Sequence, residues 1–325
     1  MHAAASEPAS LAFPPAQASF ALGVDFGGTK VEAALIDADG ALFAPSRFRA
    51  PTGPTASSAE LEASVTAVVK HAVAHLPADA SLVGVGIGTA GPITVASGAV
   101  SPLNVPAWRN YALADLVRSL VPGTPVRLRL DGLCITLAEH WVGAGRGVEN
   151  LMGMIVSTGV GGGLILGGRT ISGPSGNAGH IGHVEVGGYD DPCACGGRGC
   201  VEAIASGPKT VAWARRNGWT GNTGEELAVA HAAGDAIAVR AVQRSGEALG
   251  HAIASATNLV DLDLVAIGGG FSQVSPALFD AARRAVAERT GFEFARRVRI
   301  THSALTGDGP LIGAAALIHR ASLVA

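Results

Sequence analysis

Three short apolar runs in this chain end in glycine clusters: Phe20 to Phe26 before Gly27-Gly28-Thr29-Lys30, the run into Ser157-Thr158-Gly159-Val160-Gly161-Gly162-Gly163, and Leu264 to Ile267 before Gly268-Gly269-Gly270. A buried strand followed by a glycine turn lets consecutive backbone N–H groups wrap an anion, and open α/β sheets hold ligands at the carboxyl ends of their strands. One such turn is as often a plain hairpin; three together favour a nucleotide. Neither a Walker pattern nor a spaced dinucleotide fingerprint is present, which argues against P-loop and NAD chemistry.

The 325 residues fit two domains, and two domains imply a cleft. We expect a loose Ala- and Pro-rich tail over residues 1–19, an α/β domain over 20–146, and a second α/β domain over 147–309. A helix over 310–325 should return to the first domain, since glycines from Gly307 to Gly313 suggest close approach. Ser57 and Glu60 form a capping-box pattern ahead of Leu61, Val65, Val68, Val69, Val73 and Leu76, which share a helical face. Strands are expected at Ala41 to Phe48, Val83 to Ile87 and Val126 to Leu130, and helical patterns fill Glu225 to Asn258.

Composition excludes several classes. A net charge of −3 lacks the basic excess that nucleic-acid binding requires. The longest uncharged apolar stretch, Leu151 to Gly168, is broken by the Ser-Thr-Gly turn, so no membrane span is expected. The first nineteen residues lack the cationic start and apolar run of a signal peptide, and four cysteines are too few and too crowded for a disulfide framework. A reducing, cytoplasmic setting follows.

Particular residues carry the chemistry. Asp25, at the end of its strand, is placed to hold a hydrated Mg²⁺, and Lys30 stands out because the chain has only three Lys. Cys193, Cys195 and Cys200 with a histidine make a closed Cys₃His zinc set; spacing alone does not choose between His180 and His183. Cys134 lies in an apolar helical pattern and reads as core. Asp131 follows a strand and precedes a helix, which suits both an N-cap and a carboxylate projecting into the cleft.

Asp25 to Lys30, Ser157 to Gly163, Gly179-His180-Ile181-Gly182-His183 and the segment Cys193 to Glu202 resemble the ROK sugar kinases, over about Leu22 to Leu317. The resemblance implies the actin-like ATPase fold, two related α/β domains closing over a cleft. It implies ATP bound by the first two glycine motifs, at Asp25, Gly27, Gly28, Thr29, Lys30, Thr158, Gly159, Gly161 and Gly162, with Mg²⁺, to which the place of the third turn after its strand adds Gly268, Gly269 and Gly270; and it implies structural zinc on His183, Cys193, Cys195 and Cys200. It implies a sugar held by Asn104, Asp131, His180, His183 and Glu202, with Asp131 as general base toward the 6-hydroxyl, and a homodimer by analogy. Two positions depart from the family pattern: Leu130 replaces the usual Asn before the base, and His180 the usual Glu. The His-Ile-Gly-His variant is most similar to the family's N-acetylmannosamine kinases, with the glucokinases as the alternative. A sugar-responsive regulator would carry a helix-turn-helix ahead of the first glycine motif, where about twenty Ala- and Pro-rich residues stand.

Overall fold

Two five-stranded sheets of identical strand order carry the fold in the computed structural model, which describes residues 18–305 and 307–324. The first half comprises β1 (Ser19–Phe26), β2 (Lys30–Asp37), β3 (Leu42–Pro51), α1 (Ser58–Ala74), β4 (Ser81–Thr89), β5 (Ile93–Thr94), β6 (Ala99–Val100), α2 (Leu113–Leu120), β7 (Val126–Leu130) and α3 (Asp131–Val142). The second comprises β8 (Leu151–Val156), β9 (Val160–Leu166), β10 (Arg169–Thr170), α4 (Val201–Ala205), α5 (Gly207–Arg216), α6 (Gly224–Ala232), α7 (Ala236–Val260), β11 (Leu264–Gly268), α8 (Pro276–Arg289), α9 (Glu293–Arg296) and β12 (Arg299–His302). The last helix is α10 (Gly309–His319). Of the expected tail, residues 1–17 lie outside the described residues.

The sheets run β3-β2-β1-β4-β7 and β10-β9-β8-β11-β12. In each, an antiparallel hairpin leads into two parallel strands, so β1, β4 and β7 correspond to β8, β11 and β12. The central strands are buried on both faces, which is why their sequences read as nearly continuous apolar runs. Two cores result, one around Leu22, Leu35, Ile87 and Leu133 that also takes in Leu151, Ile165, Leu264 and Ala266 of the second sheet, the other around Met154, Leu249, Ile267 and Phe279.

Local sequence sets the helix boundaries. Ser57 caps α1 by accepting the Glu60 N–H, and the Glu60 carboxylate returns to the Ser57 N–H, completing the capping box. Leu61, Val65, Val68 and Val69 are fully buried while Val73 and Leu76 are half-buried, so the helix turns one face to the sheet. Truncating Leu61 to Ala would cost about 2–5 kcal/mol. The helical region from Glu225 to Asn258 divides at Gly234, whose φ of +79° ends α6, and Asp235 then caps α7.

The helix α3 lies between the sheets, touching β4 and β7 on one side and β8 and β9 on the other, with nearly all its residues buried. Cys134 is among them. The final helix α10 packs on β1, β4 and α3. Gly313 permits this, because any side chain there would strike the Cys134 carbonyl.

Candidate active site

The first two glycine clusters are the hairpin turns of the two sheets, so the hairpin and ligand readings fall on the same residues. Gly27 N–H donates to the Lys30 carbonyl at 2.9 Å, closing the β1–β2 turn, and Thr52 braces it by donating its N–H to the Thr29 carbonyl and its hydroxyl to the Gly27 carbonyl. In the β8–β9 turn, Ser157 N–H donates to the Gly159 carbonyl at 2.9 Å. The third cluster follows β11; Gly269 adopts φ +94°, and a side chain there would meet the Val156 carbonyl at 2.6 Å. This close approach sets the third turn against the second.

Asp131 begins α3 rather than capping it. The N-cap position belongs to Leu130, which makes no side-chain cap, while Asp131 Oδ1 accepts the Gly132 N–H at 2.7 Å. Its Oδ1 also lies 3.8 Å from where a side chain on Gly161 would begin, so the carboxylate faces the second turn. Burial pushes the Asp131 carboxyl up to about 6; the Gly132 N–H opposes this, and Glu202 adds to it. Asp25 is pushed up to about 7, first by burial and then by the charge of Asp131, with Lys30 opposing. Two buried carboxylates with raised pKa values, one of them raised in part by the charge of the other, form the kind of acidic centre at which a cation or a proton is handled.

Lys30 does not stand alone beside its turn: its ammonium donates to Glu32 Oε2 at 2.8 Å. Glu32 is the cross-strand neighbour of Asp25 on β2 and is nearly fully buried. Burial alone would raise its pKa, but hydrogen bonds from Lys30, Arg47 and Arg49 outweigh that and hold it down at about 2. Glu32 is not among the residues the sequence pattern singles out; the β1–β2 register alone sets it beside Asp25.

The histidines divide. His183 Nδ1 lies 3.6 Å from Cys193 Sγ, Cys195 Sγ lies 3.7 Å from Cys200 Sγ, and the ligand atoms of all four residues lie within 4.8 Å of one another. A tetrahedral zinc with bonds of roughly 2.3 Å to sulfur and 2.0–2.1 Å to nitrogen requires S···S near ~3.8 Å and S···N near ~3.6 Å, so the donor set fits that ion. His180 instead points toward the first sheet: a side chain on Gly91 would meet its Cε1 and Nε2 at 3.0 Å and Leu130 Cδ2 at 2.7 Å. Leu130 and His180 therefore converge on one corner, at Gly91. Asn177 helps to hold it, since its side chain accepts the Ile93 N–H at 2.9 Å and donates to the Ile93 carbonyl at 2.8 Å.

The cysteine segment runs directly into α4. Cys200 is the N-cap residue of α4, and Glu202, in the first turn, accepts the Val160 N–H at 3.0 Å. Asn104 comes from the opposite wall: it is exposed, and a side chain on Gly28 would meet its Cβ at 2.9 Å. Its loop is anchored by buried Trp108, stacked between Phe26 and Tyr111, whose indole N–H donates to Ser58. Beyond Ser157 and Gly270 opens a cavity of about 450 Å³, lined also by Pro208, Val211, Asn222, Glu225 and Gln273. Pro208 and Val211 lie on α5, Glu225 on α6, Asn222 in the loop before α6 and Gln273 just after the third glycine cluster; none of them is singled out by the sequence pattern.

The sequence pattern of the ROK family matches residues 21–321. The chain is 33% identical over 303 residues to an N-acetylmannosamine kinase of Yersinia pseudotuberculosis, covering 93% of this chain and 99% of that one. It is 31% identical over 276 residues to a glucokinase of Halalkalibacterium halodurans, covering 79% and 82%. Its structure is similar to a ROK family glucokinase from Streptomyces griseus solved with glucose and AMPPNP, with a TM-score of 0.80 and 28% identity over 93% of this chain and 99% of that one. The fold is the actin-like ATPase fold that the resemblance to the ROK family implies. With the duplicated sheets, the paired hairpin turns and the match over nearly the whole described length, the chain belongs to the ROK family.

Proposed function

We propose that this protein is an ATP-dependent sugar kinase that transfers the γ-phosphate to the 6-hydroxyl of a hexose, with preference for an N-acylhexosamine. The observation that carries the reading is Asp131: a carboxylate with its pKa raised to about 6, opposite the second glycine turn and in electrostatic contact with Asp25. A base for a sugar hydroxyl works best when its pKa is near the working pH. Asp131 takes the hydroxyl proton as the sugar oxygen attacks the γ-phosphorus; the bond to the bridging oxygen breaks and ADP leaves. The Ser157–Gly163 and Gly27–Lys30 turns cradle the phosphates, and the 450 Å³ cavity beside Ser157 and Gly270 receives the nucleoside.

Asp25 is the carboxylate suited to holding Mg²⁺, which when bound neutralises charge developing on the phosphates. His183, Cys193, Cys195 and Cys200 would hold zinc in a closed structural site, fixing the segment that brings His180 and Glu202 to the sugar. The corner formed by Leu130 and His180 supports the choice of sugar. An imidazole N–H donates to an acetamido carbonyl where a glutamate could only accept, and Leu130 offers an apolar wall rather than a hydrogen bond to a hydroxyl. Phosphorus NMR of the product from ATP and N-acetylmannosamine tests the reading. A 6-phosphate ester supports it, and absence of a sugar phosphate with each hexose tried overturns it.

A further inference from the structure

We propose that Glu139 is a positioning residue that ties the third glycine turn to the helix bearing Asp131, and that sugar and nucleotide binding are coupled through it. The inference rests on the kinase reading above. Glu139 is fully buried, about two turns along α3 from Asp131, and takes no part in the phosphoryl transfer.

Its partners come from both segments in which the chain crosses between the sheets. Oε2 accepts the Ala144 N–H at 2.7 Å, in the segment leading from α3 to β8. Oε1 accepts the hydroxyl of Ser303, in the segment leading from β12 to α10. The Glu139 backbone carbonyl accepts the N–H groups of Gly143 and Gly145, each at 3.0 Å. Ser303 in turn stands against the third turn: its N–H donates to the Ile267 carbonyl at 2.9 Å, and a side chain on Gly268 would meet its Cβ at 2.9 Å.

A buried carboxylate is costly to desolvate and accepts hydrogen bonds only, so it persists where donors converge on it. Here they converge from two chain segments: Oε2 takes N–H groups from both, Ala144 and Ala304, and Ser303 cannot shift without leaving Oε1 unpaired. A displacement of Gly268 on nucleotide binding is thereby passed through Ser303 and Glu139 to α3, whose first residue is Asp131.

The test is calorimetric titration of AMPPNP into the zinc-loaded full chain with and without saturating N-acetylmannosamine, for wild type, Ser303→Ala and Glu139→Gln. In wild type the sugar tightens nucleotide binding by about tenfold, within the usual range of coupling between sites. In Ser303→Ala that factor falls to about one, while each ligand alone binds within about threefold of wild type and Tm changes by only a few degrees. If Glu139→Gln does not fold, Ser303→Ala decides alone. An undiminished factor in the variants overturns the proposal, as does a common loss of both single-ligand affinities and of Tm with the factor intact. A folded wild type that binds both ligands without coupling overturns it too and leaves the kinase reading standing; one that binds neither removes both.

Discussion

Glu202 accepts the backbone N–H of Val160 at 3.0 Å, so the segment that follows the cysteine cluster is fastened to the β8–β9 glycine turn. A side chain on Gly159 would begin 2.6 Å from the same carboxylate oxygen. Gly159→Ala is therefore expected to displace Glu202 and to raise KM for both ATP and sugar. A hydrogen bond to a charged group is worth about 1.5–3 kcal/mol, which sets the fall in kcat/KM at roughly 10- to 100-fold. Steady-state kinetics with each substrate varied would check this; a rise in the ATP KM alone would show that the alanine blocks only the phosphate path.

Gly28→Ala should behave differently. Its methyl would press on Asn104 rather than on Glu202, pushing aside the loop held by Trp108. The expected outcome is a sugar KM that rises more than the ATP KM, read from the same assay. Equal effects on both substrates would mean that the hairpin turn itself has collapsed.

One zinc per chain is expected by elemental analysis of protein prepared without chelator, and Cys195→Ser should lose it. Because Cys200 is the N-cap of the helix that carries Glu202, the variant should lose sugar affinity as well as Tm. Zinc-free protein that binds sugar normally by calorimetry would separate the loop from the sugar site.

The pKa of Asp131, raised to about 6, gives a prediction with a definite sign. The base is active when deprotonated, so log kcat/KM should climb with pH up to about 6 and then level. Asp131→Asn should lower kcat by about 10²- to 10⁴-fold while leaving ligand binding in place. The native state binds this proton more tightly than the unfolded chain, so Asp131 contributes least to stability above about pH 6, and the cost fades as pH falls toward the ordinary Asp value. Asp131→Asn should consequently raise Tm at pH 7.5 and have a smaller effect near pH 4, by calorimetry. A lowered Tm at pH 7.5 would point to a structural role.

Glu32 has the opposite sign. Held at about 2 by Lys30, Arg47 and Arg49, its ionised form stabilises the fold above its ordinary value near 4.5, and that contribution is lost as pH falls toward 2. Glu32→Gln should lower Tm at neutral pH, with a gap from wild type that narrows below pH 4. Thermal melts across pH would detect a constant gap, which would assign the loss to packing rather than charge.

The strand ends and their glycine turns were legible because a buried strand must be apolar and a tight turn must be small; both constraints act on local sequence. The capping box of Ser57 and Glu60 was legible for the same reason. Long-range geometry was not. Nothing in the spacing of His180 and His183 says which ring turns toward Cys193, and nothing local marks Asp131 as the first helical residue rather than the cap. Glu32, Glu139 and the cavity-lining Asn222 and Gln273 acquire their settings only from strand register and helix packing. The four-residue β12 has a single buried position, Ile300, so it lacks the apolar run of β1, β4, β8 and β11.

The most direct test of the account is a coupled ADP-release assay with ATP across N-acetylmannosamine, N-acetylglucosamine, mannose and glucose, for wild type and His180→Glu. Sugar-dependent ADP release is expected, with the highest kcat/KM for N-acetylmannosamine and a shift of the ranking toward glucose in the variant. Glucose as the best wild-type substrate, or a ranking unmoved by His180→Glu, would contradict the role given to the Leu130–His180 corner, and folded, zinc-loaded protein that releases no ADP with any sugar would contradict the assignment as a kinase.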